Sequence, residues 1–292
     1  MPTERASYAS PIKTMELNNQ NKINDHTALC QEHLLKLLKY FHSLCVKHNI
    51  KYTLEAGTLL GAVRDQGFIP WDDDADVSLI INEYDKLLNV LRKEKHPDDI
   101  GVYFPEDKKE FYDFTVRIFD KSKKIRTDET TNSHYDALYS YATLDIFVMD
   151  NIPKSNIAKN TYIALQKLCY GLAMSKRHKI TIKKYSPFEK LAISAFSLFG
   201  KLFSLKSICK LHEKFSTKYK DKNTGLLYCT TWSPIFSSCT YDSKYYASVH
   251  LTKFEDTELY VIDSYDEVLT IGYGDWKTPT KTHDHNNMVG DI

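Results

Sequence analysis

Four carboxylates fall within five positions in Trp71-Asp72-Asp73-Asp74-Ala75-Asp76, and an alternating run, Val77-Ser78-Leu79, follows directly. Few folds accommodate such a segment. In a strand, residues i and i+2 share a face, so Asp74 and Asp76 aim together while Ala75, Val77 and Leu79 face a core. Two carboxylates held that close repel, and one must take up a proton unless a cation sits between them. A hard divalent ion such as Mg²⁺ (Mn²⁺ is the alternative) suits oxygen ligands and lets phosphates complete its shell. A solvated acidic loop is the ordinary explanation of an acidic run. Here the run is followed by an apolar strand and preceded by Gly57-Thr58-Leu59-Leu60-Gly61, which reads as a tight turn opening a helix.

That turn has its own chemistry. Glycine admits close backbone approach, and amides at a helix N-terminus bind phosphate, which makes Gly57 and Thr58 candidate phosphate contacts. Arg64 and Arg117 are the candidate guanidiniums for phosphate oxygens, against ordinary surface ion pairs. A second acid, Asp145, stands alone in the apolar strand Leu144-Asp145-Ile146-Phe147-Val148. A buried unpaired carboxylate is unfavourable by several kcal/mol, and a shared metal would balance it, against a structural salt bridge. The expected metal ligands and catalytic carboxylates are therefore Asp74, Asp76 and Asp145, with Trp71, Asp72 and Asp73 beside the substrate.

Around these motifs the pattern is mixed α/β. A helical stripe runs through residues 26–48, and short strands are predicted at 52–54, 74–79, 101–104, 112–119 and 144–149, with a helix over 83–93. From about 154 to 220 the chain turns helical and lysine-rich, and short strands and a helix over 264–271 close it. This gives a loose tail over 1–25, a catalytic core over 26–150, and a helical and C-terminal lobe over 151–292.

Composition bounds the rest. With 39 basic and 38 acidic residues and no basic, aromatic-studded motif, nucleic acid is not an expected partner. The six cysteines are scattered with no C-x-x-C pair, which fits a reducing, cytoplasmic setting. The apolar stretch Leu191 to Leu205 is too short to span a bilayer. It reads first as a buried helix, and second as a surface helix making weak peripheral contact with the inner membrane face, helped by Lys176, Arg177, His178 and Lys179.

Taken together, Glu55-Ala56-Gly57-Thr58 through Arg64, then Gly67-Phe68-Ile69-Pro70-Trp71-Asp72-Asp73-Asp74-Ala75-Asp76, resemble the LicD family signature. Leu144 to Asp150 resembles that family's Asp-Ile-Phe-Pro-Leu-Asp segment. The tail adds Tyr265-Asp266, Tyr273-Gly274-Asp275-Trp276 and Pro279, with His283 or His285. Ala56 stands where glycine is common, Ala75 and Ser78 where isoleucine and glycine are often found, and Val148 in the usual proline position; every carboxylate is retained. The resemblance implies a nucleotidyltransferase-like mixed-sheet core with an appended helical lobe. It further implies Mg²⁺, a CDP-activated alcohol donor (phosphocholine, or glycerol or ribitol phosphate) and a sugar or lipid-linked glycan acceptor, with release of CMP. A nucleotidyltransferase releasing pyrophosphate and a noncatalytic sugar- or nucleotide-binding module are the alternatives.

Overall fold

The computed structural model describes residues 11–126, 138, 140–177, 187–232 and 240–279. Helix α1 (Pro11–Lys47) starts within the segment expected as a loose tail. No apolar stripe marks residues 11–25 in the sequence, so the helix becomes legible only where its buried face begins, at Cys30, Leu34, Leu37, Leu38, Phe41 and Cys45. Strand β1 (Thr53–Leu54), α2 (Ala56–Arg64), β2 (Ala75–Ile80) and α3 (Ile81–Lys93) follow, then β3 (Ile100–Tyr103), β4 (Val116–Asp120) and β5 (Thr143–Asn151).

The main sheet has the order β1-β2-β5-β4-β3, and only the β2–β5 pair is parallel within it. The chain between β2 and β5 runs through α3, β3 and β4, long enough for a parallel crossover. Strand β5 outruns β4 and pairs at its far end with β6 (Leu226–Cys229), which pairs in turn with β7 (Thr240–Asp242). Strands β8 (Val249–Phe254) and β9 (Thr257–Ile262) form a separate hairpin. Helix α7 (Tyr265–Tyr273) runs two residues past the expected end at 271 and stops at Gly274, whose φ of +69° breaks the helix where a side chain would be strained. His283 and His285 lie outside the described residues, as do His178 and Lys179 of the basic run.

Alternation in β2 holds. Ala75, Val77 and Leu79 are fully buried in the main core with α1, α2 and the sheet. Helices α4 (Asn156–Ala173) and α6 (Leu205–Ser216) close around a second, smaller core of Phe111, Phe114, Cys169, Leu172 and Ile208. One buried acid outside the cleft ties α1 to β4. Burial opposes the charge on Asp120, yet His33, Lys36 and Ser122 hold its carboxyl well below the usual range.

Helix α5 (Pro187–Gly200) departs from expectation. It was expected buried, but Leu191, Phe196, Leu198 and Phe199 are exposed, as are Leu202 and Phe203 just beyond it. An apolar run looks the same in sequence whether core or surface covers it, and only the tertiary packing decides. Among the described residues no helix is long and apolar enough to cross a membrane.

Candidate active site

The register of the sheet assembles the site. Asp76 on β2 lies directly opposite Asp145 on β5, and Asp145 lies directly opposite Arg117 on β4. Three strands therefore place one charged residue each in a single row on one face, at the wall of a cleft of about 410 Å³. Asp74, one step before β2, reaches the same cleft and is exposed. The cleft carries five acids, Glu55, Asp74, Asp76, Asp113 and Asp145, against two cations, Arg117 and Arg177. Burial first, then Asp74 and Asp145, push the Asp76 carboxyl far above its usual range.

The turn into α2 is built to hold these acids. Ala56 adopts φ +49°, a left-handed conformation that is strained by about 1 kcal/mol for a residue with a Cβ. This is the physical reason a glycine would be at ease there. Glu55 anchors the turn: it is buried, and its Oε2 accepts hydrogen bonds from Ser78 Oγ at 2.6 Å and Tyr246 Oη at 3.2 Å. Burial raises its carboxyl, and these donors partly offset that. The sequence singled out neither Glu55 nor Tyr246 as a working residue.

Gly57 and Thr58 do not line the cleft. A Cβ on Gly57 would lie 2.6 Å from Asp72 Oδ2, so glycine here makes room for a carboxylate. Thr58 Oγ1 accepts from the Asp76 backbone N–H at 2.9 Å and fixes the start of β2. Both residues thus shape the acidic segment. From the other side, Gln31 Nε2 donates to the Ile69 and Asp72 carbonyls, and Cys30 Sγ to the Asp73 carbonyl, so α1 pins the acidic loop.

The neighbouring acids also divide. Asp72 is buried, and burial followed by Asp74 pushes its carboxyl up to about 8. Asp73 is paired with Arg126 Nη2 at 2.9 Å. Trp71 is half-buried against the main core. None of the three lines the cleft.

Both candidate phosphate-binding arginines carry ion pairs in the structure. Arg64 lies outside the cleft and forms a two-pronged pair with its neighbour Asp65, at 2.9 and 2.8 Å. Arg117 is buried and donates to both oxygens of Asp145 and both oxygens of Asp113, each at 2.7 Å, with a longer contact to the Thr115 carbonyl. All five of its N–H groups are thereby engaged. Arg117 thus supplies a balancing charge for Asp145, the salt bridge that stood beside a shared metal as its expected partner. Burial still raises its carboxyl, against the pull of Arg117.

Because the Asp145 carboxyl stays above its usual range even beside Arg117, folding disfavours its charge increasingly as pH rises past the unfolded value. Asp145→Asn is therefore expected to cost the metal-free protein no stability at neutral pH, with a smaller gain than Asp76→Asn because Arg117 loses a charged acceptor. Chemical denaturation at neutral pH without metal checks this, and a variant less stable than wild type would contradict it.

The second cation lining the cleft is Arg177, which the sequence placed only in a basic run. Its Nη2 donates to the Tyr112 carbonyl at 2.6 Å and to Tyr170 Oη at 3.3 Å, and its buried Nε has no partner. Among the described residues no carboxylate pairs with it. Tyr112 holds both guanidiniums near its ring, at 5.3 Å for Arg117 and 5.4 Å for Arg177. The remaining wall is aromatic: Phe147 meets Trp232 edge-on at 5.8 Å, with Tyr170, Tyr241 and Tyr273 around them.

The donor set fits a divalent ion of the Mg²⁺ kind. Such an ion needs only one or two carboxylates when phosphates complete its shell, and Asp74 and Asp76 supply two in an acid-rich cleft. Among the described residues no group of three His, Cys, Asp or Glu is gathered as a ready three-ligand cage.

A mixed sheet carrying acids along an aromatic-lined cleft is the geometry against which the comparisons with known proteins can be set. The family model described as "LicD/FKTN/FKRP, nucleotidyltransferase domain" matches residues 49–168. The lipopolysaccharide cholinephosphotransferase LicD of Haemophilus influenzae is 29% identical over 265 residues, covering 83% of this chain and 88% of that protein. Shorter matches are to uncharacterized proteins of Rickettsia prowazekii, 50% identical over 58 residues (20% of this chain, 22% of that protein), and Rickettsia typhi, 57% identical over 47 residues (16% and 15%). Residues 49–168 thus match the LicD nucleotidyltransferase domain, and the chain is similar to the Haemophilus protein over most of its length.

Proposed function

We propose that this protein transfers phosphocholine from CDP-choline to a sugar hydroxyl of a cell-surface glycan and releases CMP. The observation that carries the proposal is the composition of one cleft, which gathers excess carboxylate, the guanidinium of Arg177 and aromatic side chains in its lining. Aromatic rings and acids together suit a quaternary ammonium, which has no hydrogen-bond donor to satisfy and is attracted to ring faces. Glycerol and ribitol would instead ask for hydroxyl partners. The Haemophilus relative, by its name, handles the same group.

In this scheme Asp74 and Asp76 hold the divalent ion, which when bound neutralises charge developing on the phosphates. Arg177, the cleft cation without a carboxylate partner among the described residues, takes phosphate oxygens, since guanidinium matches them in geometry and charge. Arg117, saturated by Asp113 and Asp145, fixes the strand row in place. The acceptor oxygen bonds to phosphorus, the P–O bond to CMP breaks with its electron pair leaving on CMP, and the hydroxyl proton passes to a cleft carboxylate. Such a transfer depends on positioning and charge more than on covalent help from the protein.

Donor choice tests the proposal. With CDP-choline, CDP-glycerol and CDP-ribitol compared under Mg²⁺ and a common acceptor, CMP release from CDP-choline is expected to show the highest kcat/KM, by roughly tenfold or more. Trp232→Ala should erode that preference, since a ring over a cation contributes about 1–2 kcal/mol. A preference for CDP-glycerol or CDP-ribitol would overturn the choice of phosphocholine.

A further inference from the structure

The near-zero net charge of the chain conceals a strongly basic stretch. Between Asn151 and His212 the sequence holds twelve Lys and Arg and a single acid, Glu189, a formal +11 (twelve minus one) within a chain of net +1. From Lys190 to His212 there are four lysines and no acid. The exposed apolar residues of α5 lie in this same stretch. Leu198 is 67% exposed, Phe199 60% and Leu202 77%, with Leu191 and Phe203 also open to solvent. Lys201, Lys206 and Lys210 are exposed among and just after them.

Apolar side chains in such a series are unfavourable in water and mark a contact surface. Their chemistry selects the occupant. A protein groove covers leucine and phenylalanine equally well, but a stretch holding four lysines and no acid from Lys190 to His212 complements a polyanionic layer. Helix α5 spans 14 residues, short of the roughly 20 needed to cross a bilayer, and among the described residues no helix qualifies. A short helix with apolar residues outward and lysines beside them suits the headgroup boundary.

The patch is also rigidly tied to the cleft. A Cβ on Gly200 would lie 2.1 Å from the Leu172 carbonyl, so α5 meets the end of α4 backbone to backbone. Phe196 packs against Gly171 on that helix. Tyr170 precedes that contact by one residue, and Arg177 follows α4 by a single short turn; both line the cleft.

We propose that the surface from Leu191 to Phe203, with Lys201, Lys206 and Lys210, docks on an anionic lipid bilayer, apolar side chains inserted at headgroup depth. This holds the cleft at the membrane surface and is independent of which alcohol is donated.

Vesicle co-sedimentation tests it, using phosphatidylcholine alone and phosphatidylcholine mixed with phosphatidylglycerol. Wild-type protein is expected to pellet with the anionic vesicles, and at least tenfold more weakly with the neutral ones. Raising salt from 0.1 to 1 M shortens the screening length from about 10 to 3 Å and should weaken anionic binding by roughly tenfold or more. The triple variant L198S/F199S/L202S should lose binding by at least tenfold while keeping its circular dichroism spectrum, because these side chains are exposed. Should that variant misfold, K201E/K206E decides, with the same loss expected. Wild-type protein that ignores anionic vesicles overturns the proposal. So does a wild-type dimer that L198S/F199S/L202S converts to monomer while vesicle binding is unchanged, since the patch would then cover a second copy. Unchanged binding in K201E/K206E is equally fatal.

Discussion

Asp76→Asn is expected to lower phosphocholine transfer by roughly a thousandfold or more, the size of effect seen when a preorganised charge at a reacting centre is removed. The change keeps side-chain volume and removes charge from the middle of the Asp74–Asp76–Asp145 neighbourhood. Its second signature is an opposite effect on stability. The folded-state carboxyl of Asp76 lies above its unfolded value, so its ionised form is disfavoured by folding. That destabilisation is absent below the unfolded pKa and grows as pH rises above it. At neutral pH without divalent ion, Asp76→Asn should therefore melt higher than wild type, and added Mg²⁺ should stabilise wild type more than the variant. A variant within tenfold of wild-type turnover at saturating Mg²⁺ would show that the row of acids is structural.

The second large effect is expected at Arg177. Its guanidinium faces the cleft without a carboxylate partner among the described residues, so Arg177→Ala removes a cation without uncovering a buried acid. Loss of charged hydrogen bonds to phosphate corresponds to about 2–4 kcal/mol, or roughly 30- to 1000-fold in kcat/KM. Arg177→Lys should recover only part, because an ammonium lacks the planar fork. Arg64→Ala serves as the control: Arg64 pairs with Asp65 outside the cleft and should change kcat/KM less than threefold. Equal losses in the two alanine variants, measured by CMP release over a range of CDP-choline, would remove Arg177 from the phosphate site.

Much of the site was legible because strands obey a period of two. Asp74 and Asp76 could be placed on one face, and Asp145 recognised as an acid within an apolar strand, from spacing alone. The partner of Asp145 could not be read. Arg117 meets it 28 positions away through the β4–β5 register, and Asp113 joins from the loop before β4. Spacing says nothing of such pairing, so the acid was matched to a metal.

Arg177 was hidden for a related reason. It lies 101 positions beyond Asp76 and reaches the cleft only because α4 packs against Phe111 and Phe114, near Tyr112. Gly57 was noticed for the freedom of its backbone, but the structure uses its missing Cβ to admit Asp72. The exposure of α5 has no sequence signature at all, since leucine and phenylalanine at helical spacing serve a core equally well.

The central claim is a transfer in which the glycan hydroxyl attacks the phosphorus next to choline. Purified protein incubated with CDP-choline, Mg²⁺ and a glycan acceptor, with every phosphorus-containing product resolved by ³¹P NMR, tests it most directly. CMP appearing one for one with a phosphodiester on the glycan is the predicted result. Pyrophosphate released from CTP with a cytidylyl group on the acceptor, and no CMP from CDP-choline, would make the protein a nucleotidyltransferase and contradict the claim.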